Sequence, residues 1–303
     1  MAQATYDAIV IGEGISGLTA AGALAEAGLK VATLEAQLFG GLVINVNELE
    51  PVPEGCPASG AELAAGLMQA NSERGVVSIQ EAVTAIRDSG GVKEAVTDSG
   101  AHSARCIIVA SGARLKKLGV PGEAEFEGRG VSQCADCDGP MYQNEEAIVV
   151  GGGESAFQEA LVLANYCRRV ILVHRGDAFK ASPHFVGQVQ ANDKITVIRN
   201  ATVDAILGSK MVEKARVQHA DGRTEELQCA GVFAYIGLEP STEFVPEAAE
   251  RDAAGFLRTD QSLETTLPGV FAIGAVRSGF GGTLVEAMDE ARRATTAVRG
   301  RLA

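Results

Sequence analysis

The feature that most constrains how this chain can fold is a pattern that occurs twice: an apolar run, a glycine loop, a helix-favouring stretch and a second apolar run. In the first copy, residues 8–11 precede the loop Gly12-Glu13-Gly14-Ile15-Ser16-Gly17. The alanine-rich residues 18–27 then favour a helix, and residues 30–34 predict a strand that ends at Glu35. Short continuous apolar runs are typical of strands buried in a parallel sheet.

The second copy repeats this order about 140 residues later. Residues 147–150 precede the loop Gly151-Gly152-Gly153-Glu154-Ser155-Ala156, a helix is predicted to about residue 166, and residues 170–173 end at His174. In both copies the residue that ends the second strand lies 23 positions after the first glycine. This is the length of one mononucleotide-binding βαβ unit, so the sequence predicts two Rossmann-like units in an α/β protein.

The rest of the chain contains further apolar runs that end at glycine. Residues 106–110 predict a buried strand followed by Gly112, and the runs 231–237 and 269–274 have the same character. Apolar and charged residues alternate at helical spacing over 284–298, which predicts a C-terminal helix. The polar stretch 71–103 is interpreted as turn-rich.

The first glycine loop predicts an adenine dinucleotide site. Gly12 permits the tight turn, Gly14 lets the backbone approach a pyrophosphate, and Gly17 lets helix and strand pack closely. The start of the helix offers unpaired N–H groups to the pyrophosphate, and Glu35 can accept hydrogen bonds from ribose hydroxyls. The alternative is a glycine turn in an α/β sheet that binds no ligand.

The second loop favours NADP over NAD. Gly151 and Gly153 keep the fingerprint, Ala156 replaces its third glycine, and His174 stands where an acid would repel a 2′-phosphate. Cations at Arg175 and Lys180 could pair with that phosphate. The alternative is that both cations are ordinary solvated charges.

Cysteine usage points to one redox-active pair. Cys134-Ala135-Asp136-Cys137 has a spacing that allows a small, reducible disulfide ring, and Asp138 could move the proton that exchange requires. Asp136 inside the ring should oppose thiolate formation unless a cation or flavin offsets it. Structural zinc needs four ligands, and neither a second C-x-x-C nor the four histidines supply them, so no metal is predicted.

Charge and composition exclude several classes of protein. The chain carries 26 Lys and Arg against 39 Asp and Glu, a formal net charge of −13, which repels nucleic acid and anionic lipid. The sequence has no apolar run long enough to span a membrane and no signal-peptide pattern. We therefore expect a cytoplasmic protein with no nucleic-acid partner and no membrane association.

Two dinucleotide motifs with a C-x-x-C just before the second one resemble the low-molecular-weight thioredoxin reductases over nearly the whole chain. The shared landmarks are the loops beginning at Gly12 and Gly151, Gly40-Gly41, the segment 118–123, Cys134 to Gly139, His174-Arg175, and the segments 236–240 and 268–274. The resemblance implies FAD at Gly12, Gly14, Gly17, Glu35, Gly40, Gly41, Gly112, Gly274 and Ala275. It likewise implies NADPH at Gly151, Gly153, Ala156, His174, Arg175 and Lys180.

The resemblance also implies the domain plan and the mechanism. An FAD domain of residues 1–115 and 243–303 would hold an inserted NAD(P) domain of residues 116–242, and two copies would form a homodimer. Electrons would pass from NADPH through FAD to the Cys134–Cys137 disulfide, and then to a thioredoxin-like protein or a small disulfide. Cys137 would face the flavin, Cys134 would attack the partner, and Asp138 would be the acid/base. The domains would rotate about hinges near residues 115–118 and 240–243.

Departures from the family pattern cluster around the implied flavin site. Ala275 replaces an aspartate, Gly282-Thr283-Leu284 replaces arginine-glutamine-alanine, and Leu42 replaces a glutamine. The other changes are Pro51 for asparagine, Asp136 for threonine and Gly176 for an arginine of the NADP set. Loss of the charged partner at position 275 would cost about 1.5–3 kcal/mol.

These departures leave three alternatives to an NADPH-dependent reductase. A dithiol oxidase would run electrons from a dithiol through flavin to oxygen and would produce peroxide. A reductase that uses ferredoxin in place of NADPH would explain the small number of cations in the second motif. A redox-sensing binding protein would keep the fold and bind flavin without disulfide exchange at Cys134.

Overall fold

The computed structural model describes residues 5–46, 49, 52 and 54–303, and the chain divides into two compact units. Unit 1 combines the chain before Leu115 with Glu239–Ala303, and unit 2 is Leu115–Leu238, so unit 2 is inserted into unit 1. No helix in the described ranges is long and apolar enough to cross a membrane.

Helices alternate with strands over residues 6–79 and 131–198, and the rest of the chain contains runs of consecutive strands before a final helix. The first part contains β1 (Tyr6–Ile11), α1 (Ile15–Glu26), β2 (Val31–Leu34), α2 (Gly60–Glu73), β3 (Val77–Ile79), β4 (Val83–Ser89), β5 (Val92–Thr97), β6 (Gly100–Val109) and β7 (Ala113–Leu115). The middle part contains β8 (Val131–Ser132), α3 (Ala135–Asp138), β9 (Glu146–Gly151), α4 (Glu154–Tyr166), β10 (Arg169–Val173), α5 (Pro183–Gln190), β11 (Ile195–Ile198), β12 (Ala201–Gly208), β13 (Val212–His219), β14 (Thr224–Gln228) and β15 (Gly231–Tyr235). The last part contains β16 (Leu238–Pro240), β17 (Val270–Ala272) and α6 (Leu284–Leu302).

Unit 1 is built on a seven-stranded sheet in the order β3-β2-β1-β6-β5-β4, with β17 also paired to β6. The strands β3, β2, β1, β6 and β17 are parallel, whereas β4, β5 and β6 form an antiparallel meander. Alternate residues of β1 face opposite sides of the sheet, so Val10 packs with α1 and α6 while Ile9 packs with Val245 and Leu257. Burial on both faces explains why residues 8–11 of β1 are continuously apolar.

Unit 2 has the same three-layer plan. Its parallel sheet runs β11-β10-β9-β15-β8, and a separate antiparallel sheet runs β12-β13-β14. Val149 of β9 packs on one face with α4, and Ile148 packs on the other face with the antiparallel strands. The predicted fold class, two Rossmann-like three-layer units with the second inserted into the first, is confirmed.

The interpretation of residues 71–103 as turn-rich is wrong. This segment contains the end of α2, the strands β3, β4 and β5, and the start of β6. Gly90 and Gly91, with φ of 70° and 94°, connect β4 to β5 as a two-residue hairpin turn that requires positive φ. Polar residues occupy exposed positions of β4, and Lys93 and Thr97 occupy buried positions of β5, so a search for continuous apolar runs does not find these strands.

Helices α1 and α2 are joined by one buried side chain. Asn71 on α2 is 3 % exposed, and its amide donates to the Leu18 carbonyl of α1 at 2.9 Å. A Cβ added at Gly22 would lie 2.6 Å from the Asn71 amide oxygen. Because Asn71 is short and held by this hydrogen bond, it has little freedom to move away.

We therefore expect Gly22→Ala to lower the free energy of unfolding by about 1–3 kcal/mol, through overpacking at Asn71. Gly66→Ala, within α2, is the matched control. A Cβ there meets nothing within 4 Å, so alanine should raise stability by about 0.5–1 kcal/mol. Thermal unfolding midpoints of the two variants measure both effects, and equal shifts would contradict this account.

Candidate functional site

The first glycine loop is shaped by contacts that exclude side chains. A Cβ at Gly12, where φ is 104°, would lie 2.4 Å from the Ala110 carbonyl oxygen, and one at Gly17 would lie 1.9 Å from the Gly12 carbonyl oxygen. Gly14 caps α1, and a Cβ there meets nothing within 4 Å. No side chain caps the helix and its first turn carries no acid, so its N–H groups are left for an anion.

Two carboxylates hold this loop in place. Glu35, at the end of β2, accepts the N–H of Glu13 at 2.8 Å and that of Gln37 at 3.0 Å. The Glu13 side chain is buried and accepts the hydroxyls of Thr33 at 2.5 Å and Ser78 at 2.6 Å. The sequence analysis singled out Glu35 but not Glu13, whose partners lie 20 and 65 residues away in the chain.

Gly40 and Gly41 lie directly against the first loop. The Gly40 N–H donates to the Glu13 carbonyl at 2.7 Å, and Gly40 forms an isolated β-bridge with Gly14. A Cβ at Gly41 would lie 3.4 Å from the Gly14 Cα. The structure thus brings two separate predicted binding segments together around Gly14.

Gly112, Gly274 and Ala275 follow the ends of neighbouring strands in the same unit. The Gly112 carbonyl accepts the N–H of Ser241 at 3.1 Å, which ties the end of β6 to the returning chain. A Cβ at Gly274, where φ is 68°, would lie 2.3 Å from the Ser16 hydroxyl, so Gly274 abuts the first turn of α1. Ala275 lies in the 3-10 turn Gly274–Val276.

A buried ion pair stands behind Gly274. Glu290 on α6 is fully buried and accepts the Gly274 N–H at 2.8 Å, while its other oxygen pairs with the Arg277 guanidinium. Arg277 also donates to the Ser278 carbonyl at 2.7 Å, and its buried Nε has no partner among the described residues. The sequence analysis missed both members of this pair.

The other positions that depart from the family pattern have varied surroundings. Leu42 is 57 % exposed. Gly282 adopts φ of 90°, Thr283 caps α6 by accepting the Glu286 N–H at 3.2 Å, and Leu284 begins that helix. Pro51 lies outside the described residues.

The second glycine loop, like the first, is packed so closely against its neighbours that a side chain at its first glycine would clash. A Cβ at Gly151 would lie 2.4 Å from the Tyr235 carbonyl oxygen and 2.6 Å from the Ala156 Cβ. Gly153 caps α4 without a side-chain hydrogen bond, and a Cβ there meets nothing within 4 Å. The N–H of Lys180 donates to the Gly152 carbonyl at 2.7 Å, so the segment after β10 folds back onto the loop.

One histidine and three cations lie at the edge of this second loop. His174 directly follows β10, packs its ring against Gly152 and hydrogen-bonds the Ala178 carbonyl at 3.0 Å. The side chains of the first two cations, Arg175 and Lys180, are exposed. The third cation, missed by the sequence analysis, is Arg199. Its guanidinium lies 4.4 Å from the centroid of the Phe179 ring, one residue before Lys180, and donates to the Asp177 carbonyl at 3.3 Å.

Cys134 and Cys137 form a disulfide across the short helix α3, with Cα atoms 5.3 Å apart. Cys134 is half-buried and Cys137 is exposed. The Cys134 sulfur accepts the Cys137 N–H at 3.2 Å, and Asp138 follows as a half-buried residue whose N–H donates to the Cys134 carbonyl at 3.1 Å. The N–H of Ala135 donates to Glu159 on α4 at 3.0 Å, a contact that the sequence analysis also missed.

Buried thiols elsewhere are poor competitors for this chemistry. Burial raises the pKa of Cys106 and Cys167 to about 11 and that of Cys229 to about 12. The thiolate is the reactive form, so these three cysteines stay unreactive at neutral pH. Over the described ranges, no cluster of three or more His, Cys, Asp or Glu residues could hold a metal ion.

Comparisons with known proteins agree along nearly the whole chain. The family model for pyridine nucleotide-disulphide oxidoreductases matches residues 6–299. The thioredoxin reductase of Treponema pallidum is 37 % identical over 278 residues, covering 91 % of this chain and 90 % of that protein. That of Mycolicibacterium smegmatis is 38 % identical over 277 residues, covering 90 % and 88 %.

Solved structures of thioredoxin reductases are similar to this chain over nearly its whole length. The crystal structure of Lactococcus lactis thioredoxin reductase superimposes with a TM-score of 0.91 at 34 % identity, covering 98 % of each chain. That of T. acidophilum thioredoxin reductase gives 0.88 at 27 % identity, again covering 98 % of each chain. The glycine loops, the disulfide and these matches together place the chain in the pyridine nucleotide-disulphide oxidoreductase family, as a flavin-dependent disulfide oxidoreductase of the thioredoxin-reductase type.

Proposed function

We propose that this chain transfers electrons from NADPH, through FAD, to the Cys134–Cys137 disulfide and then to the disulfide of a thioredoxin-like protein. The observation that carries the proposal is the disulfide itself, formed in the same unit as the second glycine loop. The names of the relatives, thioredoxin reductases, support the choice of partner. The net reaction is NADPH, a proton and a partner disulfide giving NADP⁺ and a partner dithiol.

Unit 1 would hold FAD. When bound, FAD supplies a carrier that accepts two electrons from a nicotinamide and passes them to a disulfide. Gly14, Gly40 and Gly41 leave backbone free of side chains beside the first turn of α1, which fits a pyrophosphate. Glu35 keeps lone pairs for ribose hydroxyls beyond the two N–H groups that it accepts.

At the other strand ends of unit 1, Gly112 and Gly274 would present backbone to the same cofactor. Both adopt positive φ, 68° at each, and neither carries a side chain that would fill the space in front of the strand ends. Ala275 would contribute its backbone alone, since its methyl group offers no hydrogen bond. Glu290 would then keep the Gly274 backbone in place from behind.

Unit 2 would hold NADPH against the second glycine loop. Gly151 and Ala156 would set the close packing of strand and helix, and Gly153 would leave the start of α4 open to the pyrophosphate. His174 would lie beside the adenine ribose at the strand end, and Arg175, Lys180 and Arg199 would surround the 2′-phosphate. Arg199 strengthens the case for NADPH because it adds a cation to the two that the sequence suggested.

The dithiol would act through two successive exchanges. Once Cys134 and Cys137 are reduced, the Cys134 thiolate attacks one sulfur of the partner disulfide, forms a mixed disulfide and releases a partner thiolate, which Asp138 protonates. Cys137 then attacks the Cys134 sulfur, restores the internal disulfide and releases the second partner thiol. Asp138, adjacent to Cys137 in the chain, is the acid/base in this scheme.

Two further properties belong to the proposal. We expect two copies of the chain to associate as a homodimer, as the family resemblance implies. A cytoplasmic location would supply the reducing environment in which a thioredoxin-like partner works.

The direct test is anaerobic addition of NADPH to the purified protein, with NADH as the comparison. We expect bound flavin in the visible spectrum, loss of that absorbance with NADPH, and much slower loss with NADH. Flavin that stays oxidised with NADPH but is bleached by ferredoxin or by a dithiol would contradict the proposed donor. Peroxide formed from a dithiol in air would indicate the oxidase instead.

Removing the sulfurs should separate the two halves of the reaction. In Cys134→Ser and in Cys137→Ser, we expect reduction of a thioredoxin-like substrate to fall to background, while flavin bleaching by NADPH is retained. Cys56→Ala is the matched control and should keep both steps. Thioredoxin reduction that survives either serine variant would contradict the role of this disulfide.

The cations of unit 2 should determine the choice between NADPH and NADH. We expect Arg175→Ala and Arg199→Ala each to raise the KM for NADPH about 5- to 30-fold by removing a charged partner of the 2′-phosphate, with the KM for NADH unchanged. Arg223→Ala removes an exposed arginine from the β13–β14 turn and is the control. Equal effects on both coenzymes would mean that these arginines do not contact the 2′-phosphate.

A further inference from the structure

A half-buried carboxyl lies against the backbone of the redox-active turn. Glu159 projects from α4, and its Oε2 accepts the N–H of Ala135 at 3.0 Å. Ala135 is fully buried and follows Cys134 in the chain. This bond therefore joins the peptide next to a reactive sulfur to the helix that begins at the second glycine loop.

A second buried group converges on the same carboxyl. Tyr235 ends β15, is 7 % exposed, and its hydroxyl has no well-formed hydrogen bond among the described residues. The Glu159 carboxyl and the Ala135 N–H both act on the pKa of this hydroxyl. A buried hydroxyl without a partner is costly, and a carboxylate at this position is the acceptor that it needs.

A carboxyl is not needed merely to satisfy the Ala135 N–H. The amide oxygen of a glutamine would accept that hydrogen bond equally well, with no charge to desolvate. What the carboxyl adds is a negative charge beside the peptide that follows Cys134, and the average size of this charge depends on pH. The arrangement therefore affects both the geometry and the electrostatics of the turn.

We propose that Glu159, oriented by Tyr235, is a positioning residue of the redox-active turn: it fixes the Ala135 peptide and sets the thiolate fraction of reduced Cys134. The proposal rests on the redox role given to Cys134 in the proposed function. Reduction of the disulfide takes up two electrons and two protons when both cysteines end as thiols. It takes up one proton fewer when Cys134 remains a thiolate.

The sign of the effect follows from the surroundings of Glu159. Burial raises the pKa of its carboxyl and the negative charge of Asp136 adds to this, whereas the Ala135 N–H and the Tyr235 hydroxyl lower it. Burial, and then the carboxylate beside it, raises the pKa of Tyr235, so its hydroxyl stays protonated as a donor. Above the pKa of Glu159 the carboxylate disfavours a thiolate nearby, and below it this repulsion disappears.

Apart from the half-buried Asp138, the other ionisable groups on the elements packed against α4 have their own partners or lie at the surface. Those elements are α3, α5, β9, β10, β11, β15 and the 3-10 turn Gly139–Tyr142. Glu146 pairs with Arg168, His184 contacts Gln188, Lys194 donates to the Ala164 carbonyl, Tyr142 packs edge-on to Phe233, Arg169 is exposed and Asp138 is half-buried. Asp136 and Tyr235 are thus the titratable neighbours that act on Glu159.

The test measures thiol reactivity and needs no cofactor turnover. The full chain is reduced with dithiothreitol, which becomes its cyclic disulfide, and is then freed of reductant. It is alkylated with iodoacetamide from about pH 5 to about pH 10, and the peptide that contains Cys134 is quantified by mass spectrometry. In Glu159→Gln we expect alkylation of Cys134 near neutral pH to be about three- to tenfold faster than in wild type, since the anion is lost.

Glu213→Gln is the matched control. It changes the net charge of unit 2 equally but lies on β13, in the antiparallel sheet on the opposite face of the parallel sheet from α4. Its pH profile should coincide with that of wild type. A Glu159→Gln profile that also coincides with wild type would overturn the proposal.

Two more variants separate charge from packing. Tyr235→Phe keeps the ring but removes the donor, so the inflection that Glu159 imposes on the profile should move to higher pH. Glu159→Ala leaves the Ala135 N–H without an acceptor and should lower thermal stability more than Glu159→Gln does. If Glu159→Gln does not fold, an unchanged profile in Tyr235→Phe overturns the proposal.

The outcome of the alkylation test does not depend on which electron donor or partner protein the chain uses. If NADPH fails to bleach the flavin, the proposed function fails, yet the alkylation profiles still report on Glu159. If NADPH reduces the protein and the profiles of wild type and Glu159→Gln coincide, only the present inference fails.

Discussion

The structure depends above all on backbone contacts that side chains would prevent. In unit 1 the backbone at Gly17 crosses the Gly12 carbonyl so closely that a Cβ would lie 1.9 Å from its oxygen. In unit 2 the corresponding crossing is between Gly151 and the methyl group of Ala156. These approaches place the first turn of each following helix at the end of a parallel strand. Neither helix start has a side-chain cap, which is the arrangement that phosphate groups favour in proteins.

The repeated motif made the core of both units predictable from the sequence. The glycine loops, the strands on either side and the helices after them carry a strong local pattern, because parallel strands buried on both faces are continuously apolar. The meander from β4 to β6 was missed for the opposite reason. Its strands carry exposed polar residues such as Arg87 and Asp88, and Lys93 occupies a buried position, so no continuous apolar run marks them. The Gly90-Gly91 turn was a local signal for a hairpin.

The candidate site was predictable only where its residues carry a spacing. The cysteine pair and the glycines do so, and the structure pairs Cys134 with Cys137. Glu13, Arg199 and Glu159 carry no such pattern, because each acts through a neighbour brought close by the fold. Glu159 accepts a hydrogen bond from a peptide 24 residues away in the chain. Arg199 follows β11, and its guanidinium lies over the Phe179 ring in the segment after β10. Contacts of this kind are set by strand order and helix packing, which a local pattern does not encode.

The departure at position 275 also shows the difference between a local sequence pattern and the contacts that the fold supplies. The family resemblance leads one to expect a carboxylate there, and its replacement by alanine suggests at first a weakened site. In the structure the adjacent Gly274 N–H is held by Glu290 from α6, and Arg277 balances the charge of that buried carboxylate. The backbone at the strand end is therefore anchored from the helix behind it. Alanine at position 275 leaves in place the support that keeps Gly274 against Ser16.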